Sequence, residues 1–281
     1  MKLLGISRDS VYSPGRESAD SALFQGVADR LAAMGNSVRT VTELEFCTMV
    51  RSGNVVEWDG IFHMCRSAET LELLSGLDIP CVNTVRSVRN CQRTLQDRIF
   101  HKSGVSVPDS CICNTSDGPG DWSAWPCWLK RGDSHSVLQS DVILVHNRAE
   151  CSAQMAQMAS RGISDCLIQK NIQGTLVKVY GVTGEWVLDC RVVTGEKDKF
   201  GNVVEHGSQG TGIKDILNTG TLNELIRMAA ATVECDVFGA DVIVDGNGNL
   251  TIIDFNDWPS FSSCRERAAI AISEMLVKKF G

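Results

Sequence analysis

Two acids and an amide stand close together near the C-terminal end of the chain, in GADVIVDGNGNLTIIDFND (239–257). Asp241 lies in one apolar run, and Asp254 and Asn256 lie in the next. The DGNG segment between them is a strong hairpin signal, which folds the two runs antiparallel and brings Asp241 roughly opposite Asp254. The two-residue step from Asp254 to Asn256 keeps both side chains on one face of the strand. We therefore expect three oxygen ligands to converge on one patch.

The chemistry expected of this patch is cation binding. Two carboxylates placed together repel each other unless a hard cation lies between them, and Mg²⁺ suits carboxylate and phosphate oxygens. Residues 242–244 and 252–253 are apolar, which indicates core strands rather than a hairpin with solvated acids, the alternative interpretation. The sequence predicts a magnesium site with the ligands Asp241, Asp254 and Asn256.

Composition limits the classes of protein to which the chain can belong. Its 281 residues, 43% hydrophobic and 22% charged, are typical of a globular protein with two or three subdomains. The formal net charge of −7 offers no basic surplus for a nucleic-acid backbone, so no nucleic acid is expected as a partner. We expect neither a membrane span nor a secretory signal, because the apolar runs are too short. These features predict a cytoplasmic protein.

The twelve cysteines form no recognisable metal or disulfide pattern. They scatter from Cys47 to Cys264, and the close pair Cys111 and Cys113 has C-x-C rather than C-x-x-C spacing. Without a secretory signal, disulfides are not expected. We interpret the cysteines as small buried hydrophobic residues in a reducing compartment. A reactive Cys65, beside Arg66, is the alternative.

Strand and helix patterns alternate over the first 85 residues, which indicates a parallel α/β sheet. Its predicted strands are KLLGIS (2–7), SVRTVT (37–42), WDGIFHM (58–64) and PCVN (80–83). One helix is expected from about Ser87 to His101. Beyond the turn-rich segment 114–126, strand patterns split by Gly and Asn turns predict mostly antiparallel sheet. We therefore predict an α/β part followed by an α+β part, divided into domains at 1–85, 86–165 and 166–281.

The C-terminal hairpin resembles the metal-binding hairpin of the ATP-grasp superfamily. That pattern has G-x-D, an apolar run, a turn, a second apolar run, and an acid followed by x-N-x-x-P. It is filled by Gly239, Asp241, Asp254, Asn256 and Pro259, with Asp254 in place of the usual Glu. The resemblance implies the ATP-grasp fold preceded by a parallel α/β domain. It also implies that two Mg²⁺ ions, or Mn²⁺ in their place, bridge the β- and γ-phosphates of ATP.

The resemblance extends upstream over nearly the whole chain. PCWLK (126–130) is similar to the strand whose lysine reaches the nucleotide phosphates, and RGDSHS (131–136) is similar to the small loop that closes over them. LIQKNI (167–172) is similar to the hinge whose backbone contacts adenine, although a lysine replaces the usual acid and leaves the ribose contact unassigned. The implied ATP-binding residues are Arg93, Lys130, Gly132, Ser134, Ser136, Gln169, Lys170, Asn171 and Ile172. For Arg93, an ion pair with Asp97 at i, i+4 is the alternative.

The first domain resembles that of the RimK-like glutamate ligases. This implies a ligase that converts a carboxylate into an acyl phosphate, which an amine or thiol then attacks. The implied catalytic residues offset negative charge at the phosphoryl group, and they are Lys130, Arg191 and Lys178. The expected substrate-side residues are Arg66, Lys178, His206 in the glycine-rich segment 205–212, and Arg265. The resemblance implies a small-molecule substrate, and it implies a homodimer because relatives commonly pair.

Two other functions remain open at the level of sequence. Four features are similar to those of ATP-grasp inositol-phosphate kinases. They are the acid at Asp254, the cation at Lys178, the DSHS segment (133–136) and Trp258. A small-molecule kinase acting on a polyol or inositol phosphate is therefore the alternative, although the acidic chain has few clustered basic residues for such a substrate. The third interpretation is a non-catalytic ATP-binding protein, which the complete set of metal and phosphate ligands disfavours.

Overall fold

The computed structural model describes residues 1–53, 57–134, 136–193 and 220–281. Within these ranges, the strands form three four-stranded sheets. The first sheet has the order β2-β1-β3-β4 and is parallel throughout, as predicted. Its strands are β1 (Lys2–Ser7), β2 (Ser37–Thr42), β3 (Gly60–His63) and β4 (Cys81–Val82).

Helices connect and follow the strands of the first sheet. They are α1 (Glu17–Ala33), α2 (Glu43–Arg51), α3 (Ala68–Ser75), α4 (Val85–Asn90) and α5 (Arg93–Ser103). The sequence analysis did not predict α2, which is stabilised by a capping box between Thr42 and Glu45. The prediction of a single helix from Ser87 to His101 is wrong, because this segment forms two helices, α4 and α5. They are separated by Gln92, which adopts an extended conformation with ψ at 131°.

The second, small sheet is antiparallel and has the order β5-β8-β6-β7. Its elements are β5 (Ser110–Asn114), β6 (Cys127–Arg131), β7 (Val142–Val145), α6 (Arg148–Ser160) and β8 (Asp165–Lys170). Helix α6 packs on one face of this sheet through Cys151 and Met155, which contribute to a core with Leu129. Strand β5 was not predicted, and the predicted domain boundary at 165/166 falls at the first residue of β8.

The third, large sheet is antiparallel and has the order β10-β9-β11-β12. Its elements are β9 (Thr175–Val182), β10 (Glu185–Val192), α7 (Gly220–Val233), β11 (Val237–Val244), β12 (Leu250–Asp257) and α8 (Arg265–Phe280). Strands β11 and β12 form the predicted hairpin, with Asp245 accepting hydrogen bonds from the turn amides of Asn247 and Asn249.

A shared hydrophobic core holds the first sheet against the large one. Leu23 and Val27 of α1 belong to the same buried cluster as Ile272 and Leu276 of α8. Asn83, at the end of β4, is fully buried and donates from Nδ2 to the carbonyl of Val237 at 2.9 Å. The strand ends of the first sheet are thereby fixed beside the hairpin that carries the predicted metal ligands.

Two further expectations concern the chain as a whole. In the described ranges, no helix is both long and apolar enough to cross a membrane. All twelve cysteines are free thiols. Burial raises the pKa of the Cys65 thiol well above its usual value, which disfavours the reactive thiolate considered as the alternative.

Candidate functional site

A cavity of about 1310 Å³ lies where the three sheets meet. Trp128 and Lys130 of the small sheet line one side, and Asp241 and Asp254 of the large sheet line the other. Arg66, which follows the end of β3 in the first sheet, lines a third part. Ligand pockets of small molecules commonly occupy such junctions and measure about 300–1,000 Å³. The cavity is therefore large enough for a nucleotide and a second small molecule.

Four charged residues form a row across the large sheet inside this cavity. The strand register places Arg191 opposite Lys178, Lys178 opposite Asp241, and Asp241 opposite Asp254. Directly opposed residues in antiparallel strands have adjacent side chains. The predicted pairing of Asp241 with Asp254 is thus confirmed, and the same register adds two cations to the row.

The two carboxylates of the row have different partners. Both oxygens of Asp241 lie 3.1 Å from Nζ of Lys178. Asp254 accepts a hydrogen bond from Nδ2 of Asn256 at 2.8 Å, and its Oδ1 lies 3.7 Å from Nε of Arg93. Burial opposes ionisation of Asp254, but the charges of Arg93 and Lys130 outweigh it and hold its pKa below the usual value. Asp254 is therefore a carboxylate at neutral pH.

Lys130 extends from β6 toward the large sheet. Its Nζ donates to Oε1 of Gln169 on β8 and to the carbonyl oxygen of Ile253 on β12, both at 2.7 Å. Burial lowers the pKa of Lys130 to about 8, against the opposing effect of Asp254. The ammonium group is consequently fixed in position but titrates near physiological pH.

Arg93, the first residue of α5, connects this helix to the 131–136 loop. It donates to the carbonyl of Ser134 at 3.0 Å and to Oγ of Ser136 at 3.1 Å. The alternative ion pair with Asp97 is not formed, since Asp97 instead accepts from Ser110. Gly132 is required for close approach, because a Cβ there would lie 2.8 Å from the carbonyl oxygen of Asp165. Gly132 is therefore held against β8, and Ser134 and Ser136 are held against α5.

The structure brings most of the predicted site residues to the cavity, but not all. Those that line it are Arg66, Arg93, Lys130, Ser136, Asn171, Ile172, Lys178, Arg191, Asp241, Asp254 and Asn256. Those that do not line it are Gly132, Ser134, Gln169, Lys170 and Arg265. Lys170 instead pairs with Asp109 at 3.0 Å, and Arg265 begins α8. His206 lies outside the described residues.

Several lining residues were missed by the sequence analysis. Trp128 shares a strand face with Lys130, and its Nε1 donates to Oδ1 of Asn171 at 3.1 Å. The two-residue spacing in CWLK was the available signal for Trp128. Arg8, just past the end of β1, was also missed, although strand ends of open α/β sheets are common ligand-binding positions.

Two arginines that are each paired with a carboxylate line the part of the cavity next to the first sheet. Arg66 donates to the backbone carbonyl of Asp257 at 3.1 Å and lies 2.8 Å from its carboxylate. Arg8 donates to the carbonyl of Trp258 at 3.0 Å and pairs with Asp20 at 3.1 Å. These contacts anchor two arginines to the segment that follows the metal-binding candidate Asn256. Anionic groups are the ligands that such arginines favour.

The oxygen donors of the hairpin fit a small divalent cation. Asp254 and Asn256 lie side by side, and the amide of Asn256 donates to Asp254 through its nitrogen, which leaves its oxygen available as a ligand. Carboxylate and amide oxygens without sulfur or imidazole are typical of magnesium rather than zinc. Across the described ranges, no group of three or more His, Cys, Asp and Glu side chains is arranged to hold a metal. The oxygens of Asp254 and Asn256 are therefore the candidate ligands of a cation in this cavity.

Solved structures with the same architecture define the class of fold: the chain has the ATP-grasp fold, as predicted. A D-alanine–D-alanine ligase from Bacillus anthracis complexed with ATP matches at a TM-score of 0.70 and 15% identity, over 100% of both chains. A RimK domain ATP-grasp protein from Sphaerobacter thermophilus DSM 20745 matches at a TM-score of 0.66 and 14% identity, over 98% of this chain and 99% of that one.

A D-alanine–D-alanine ligase from Coxiella burnetii is also similar, with a TM-score of 0.68 and 12% identity over 100% of this chain and 96% of that one. No protein-family model matches the chain, and no curated protein sequence matches it. The similarity therefore resides in the arrangement of sheets and helices rather than in the overall sequence. The residues of the cavity have to be interpreted from their own geometry.

Proposed function

We propose that the protein is an ATP-dependent ligase that joins a carboxylate to an amine or thiol through an acyl phosphate. The observation that carries this proposal is the cross-strand row of Arg191, Lys178, Asp241 and Asp254 beside the buried ammonium of Lys130. Such a row combines oxygen ligands for a cation with fixed positive charges for phosphate oxygens. The similar folds of ATP-dependent ligases support the same class of reaction.

In this proposal, the residues of the cavity divide into three groups. Lys130 and Arg93 bind phosphate oxygens, and Trp128 with Ile172 forms the apolar wall for the nucleobase. Asp254 and Asn256 hold Mg²⁺, which would neutralise the β- and γ-phosphates and orient them when bound. Arg191 faces the transferred phosphoryl group and stabilises its developing negative charge.

The region of Arg8 and Arg66 beside the first sheet is assigned to the acceptor carboxylate. Arg66 and Arg8 are immobilised by backbone carbonyls, so they can orient an anionic substrate without first having to be ordered themselves. The cavity reaches these arginines and the row of the large sheet without interruption. A carboxylate held there would lie within the same enclosed volume as the nucleotide, which is the proximity that phosphoryl transfer requires.

The proposal is tested by incubating the protein with ATP, Mg²⁺ and pools of carboxylates and amines, and by measuring ADP, phosphate and product mass. We expect ADP and phosphate only when both an acid and an amine or thiol are present, with a product whose mass equals the two substrates less one water. A product heavier by one phosphate identifies a kinase and contradicts the ligase. Lys130→Met should abolish turnover, whereas Lys102→Met, at an exposed position of α5, should not.

A further inference from the structure

Lys178 occupies a particular position relative to the carboxylate of Asp241. Its Nζ lies 3.1 Å from each carboxylate oxygen, so it is equidistant from both. The two residues are direct partners in adjacent strands, and the charge of Asp241 raises the pKa of Lys178 against the effect of burial. The ammonium group is therefore the direct counter-ion of this carboxylate, and both side chains are half-buried.

This position competes with a metal ion. Mg²⁺ binds oxygen ligands at about 2.0–2.1 Å. A cation bound by both oxygens of Asp241 would approach from the same side as Nζ, since both lie along the bisector of the carboxylate. Two positive centres cannot share that place, because they would be within van der Waals contact and would repel each other. A cation bound by one oxygen alone would still lie within about 5 Å of Nζ and be repelled by it. Asp241 is consequently matched to Lys178, while Asp254 keeps Asn256 as its neighbour.

The sum of the charges around the row agrees with the pairing of Asp241 with Lys178 rather than with a metal ion. Four cations, Arg93, Lys130, Lys178 and Arg191, accompany the two carboxylates Asp241 and Asp254 in this part of the cavity, which leaves two positive charges. An ATP molecule brings roughly four negative charges at neutral pH. One divalent ion brings the total close to zero, whereas a second leaves an excess of two positive charges, which repel one another.

We propose that this site takes one divalent cation per nucleotide, on Asp254 and Asn256, and that the Lys178 ammonium replaces a second cation at Asp241. The inference rests on the proposed function, because it concerns the same nucleotide site. The single cation proposed here differs from the two Mg²⁺ ions that the sequence resemblance implies. Lys178 is accordingly a positioning residue for the carboxylate row, rather than the direct substrate ligand expected from the sequence.

The test counts Mn²⁺ by electron paramagnetic resonance in the presence of the β,γ-imido analogue of ATP. The wild-type protein should bind one Mn²⁺ per bound analogue and give the spectrum of an isolated ion. Lys178→Met should bind a second Mn²⁺, with exchange coupling between the two ions, because two-metal sites hold their ions about 3.5–4 Å apart. Lys178→Arg should restore the count of one.

The matched control is Lys279→Met, which removes a lysine paired with Asp236 far from the cavity and should leave the count at one. Two Mn²⁺ ions per analogue in the wild-type protein would overturn the inference while leaving the proposed ligase intact. A count of one in well-folded Lys178→Met, checked by circular dichroism, would overturn the role of Lys178. If Mn²⁺ and the analogue do not bind together at all, the proposed function itself fails.

Discussion

The ammonium group of Lys130 lies 2.7 Å from the carbonyl oxygen of Ile253, so that one side chain connects β6 of the small sheet to β12 of the large sheet. Ile253 directly precedes Asp254, the carboxylate assigned to the metal. The cation that we propose for phosphate and the carboxylate that we propose for the metal are thereby held next to each other. Such prior ordering reduces the entropy lost when a nucleotide binds.

The first prediction concerns the pH dependence of nucleotide binding. Burial lowers the pKa of Lys130 to about 8, and the negative charge of ATP would raise it in the complex. Above pH 8, binding must therefore be accompanied by proton uptake at Lys130, so affinity should fall as pH rises, by up to about tenfold per pH unit. Lys178 stays charged in this range because Asp241 raises its pKa. Calorimetry with Mg-ATP between pH 7 and 9.5 measures the slope.

Lys130→Arg provides the control for this pH dependence, since a guanidinium remains charged throughout the range. Its affinity should be nearly constant between pH 7 and 9.5, whatever its absolute value. If the wild-type protein and Lys130→Arg show the same slope, the titrating group is not Lys130.

The second prediction separates substrate binding from nucleotide binding. Arg16 lines the cavity beside the first sheet, and within the described part of the chain its guanidinium forms no ion pair. Arg16→Met should raise the KM for the carboxylate substrate about tenfold, equivalent to about 1.4 kcal/mol, while the Kd for Mg-ATP stays unchanged. Steady-state kinetics and calorimetry measure the two quantities. An equal loss of ATP affinity would place Arg16 in the nucleotide subsite instead.

The third prediction concerns stability. Arg66 lies 2.8 Å from the carboxylate of Asp257, whose side chain is fully buried. Arg66→Met leaves that charge without its nearest cation, and the free energy of unfolding should fall by about 3 kcal/mol. Adding Asp257→Asn to this variant should recover much of the loss, because the buried charge is then removed. Urea unfolding at pH 7 measures both variants, and a double variant no more stable than the single one would contradict this explanation.

The sequence alone predicted the hairpin because its turn is a local signal. The DGNG turn sets the pairing of residues 242–244 with 250–252. A register shift between Asp241 and Val242, which no local sequence signal marks, then brings Asp241 opposite Asp254. Contacts between distant segments were not predictable in this way. Two such contacts depend on how separate elements pack. One joins Arg93 to Ser134 and Ser136, and the other joins Lys178 to Asp241.

The break between α4 and α5 was missed for a related reason. No Gly or Pro marks Gln92, so helical propensity favoured one continuous helix. The extended conformation of Gln92 lets α5 begin at Arg93, whose side chain then reaches the 131–136 loop. Tertiary contacts of this kind override local propensity, and they position a residue of the candidate site.

The central claim is that Asp254 and Asn256 hold a cation against the triphosphate of a bound nucleotide. Its most direct test is calorimetry of ATP binding with and without Mg²⁺, for the wild-type protein, Asp254→Asn, and Asp245→Asn in the turn of the same hairpin. Mg²⁺ should tighten ATP binding at least about tenfold, or about 1.4 kcal/mol, in the wild-type protein and Asp245→Asn, and this gain should vanish in Asp254→Asn. The same gain in all three proteins, or none in the wild-type protein, would contradict the claim.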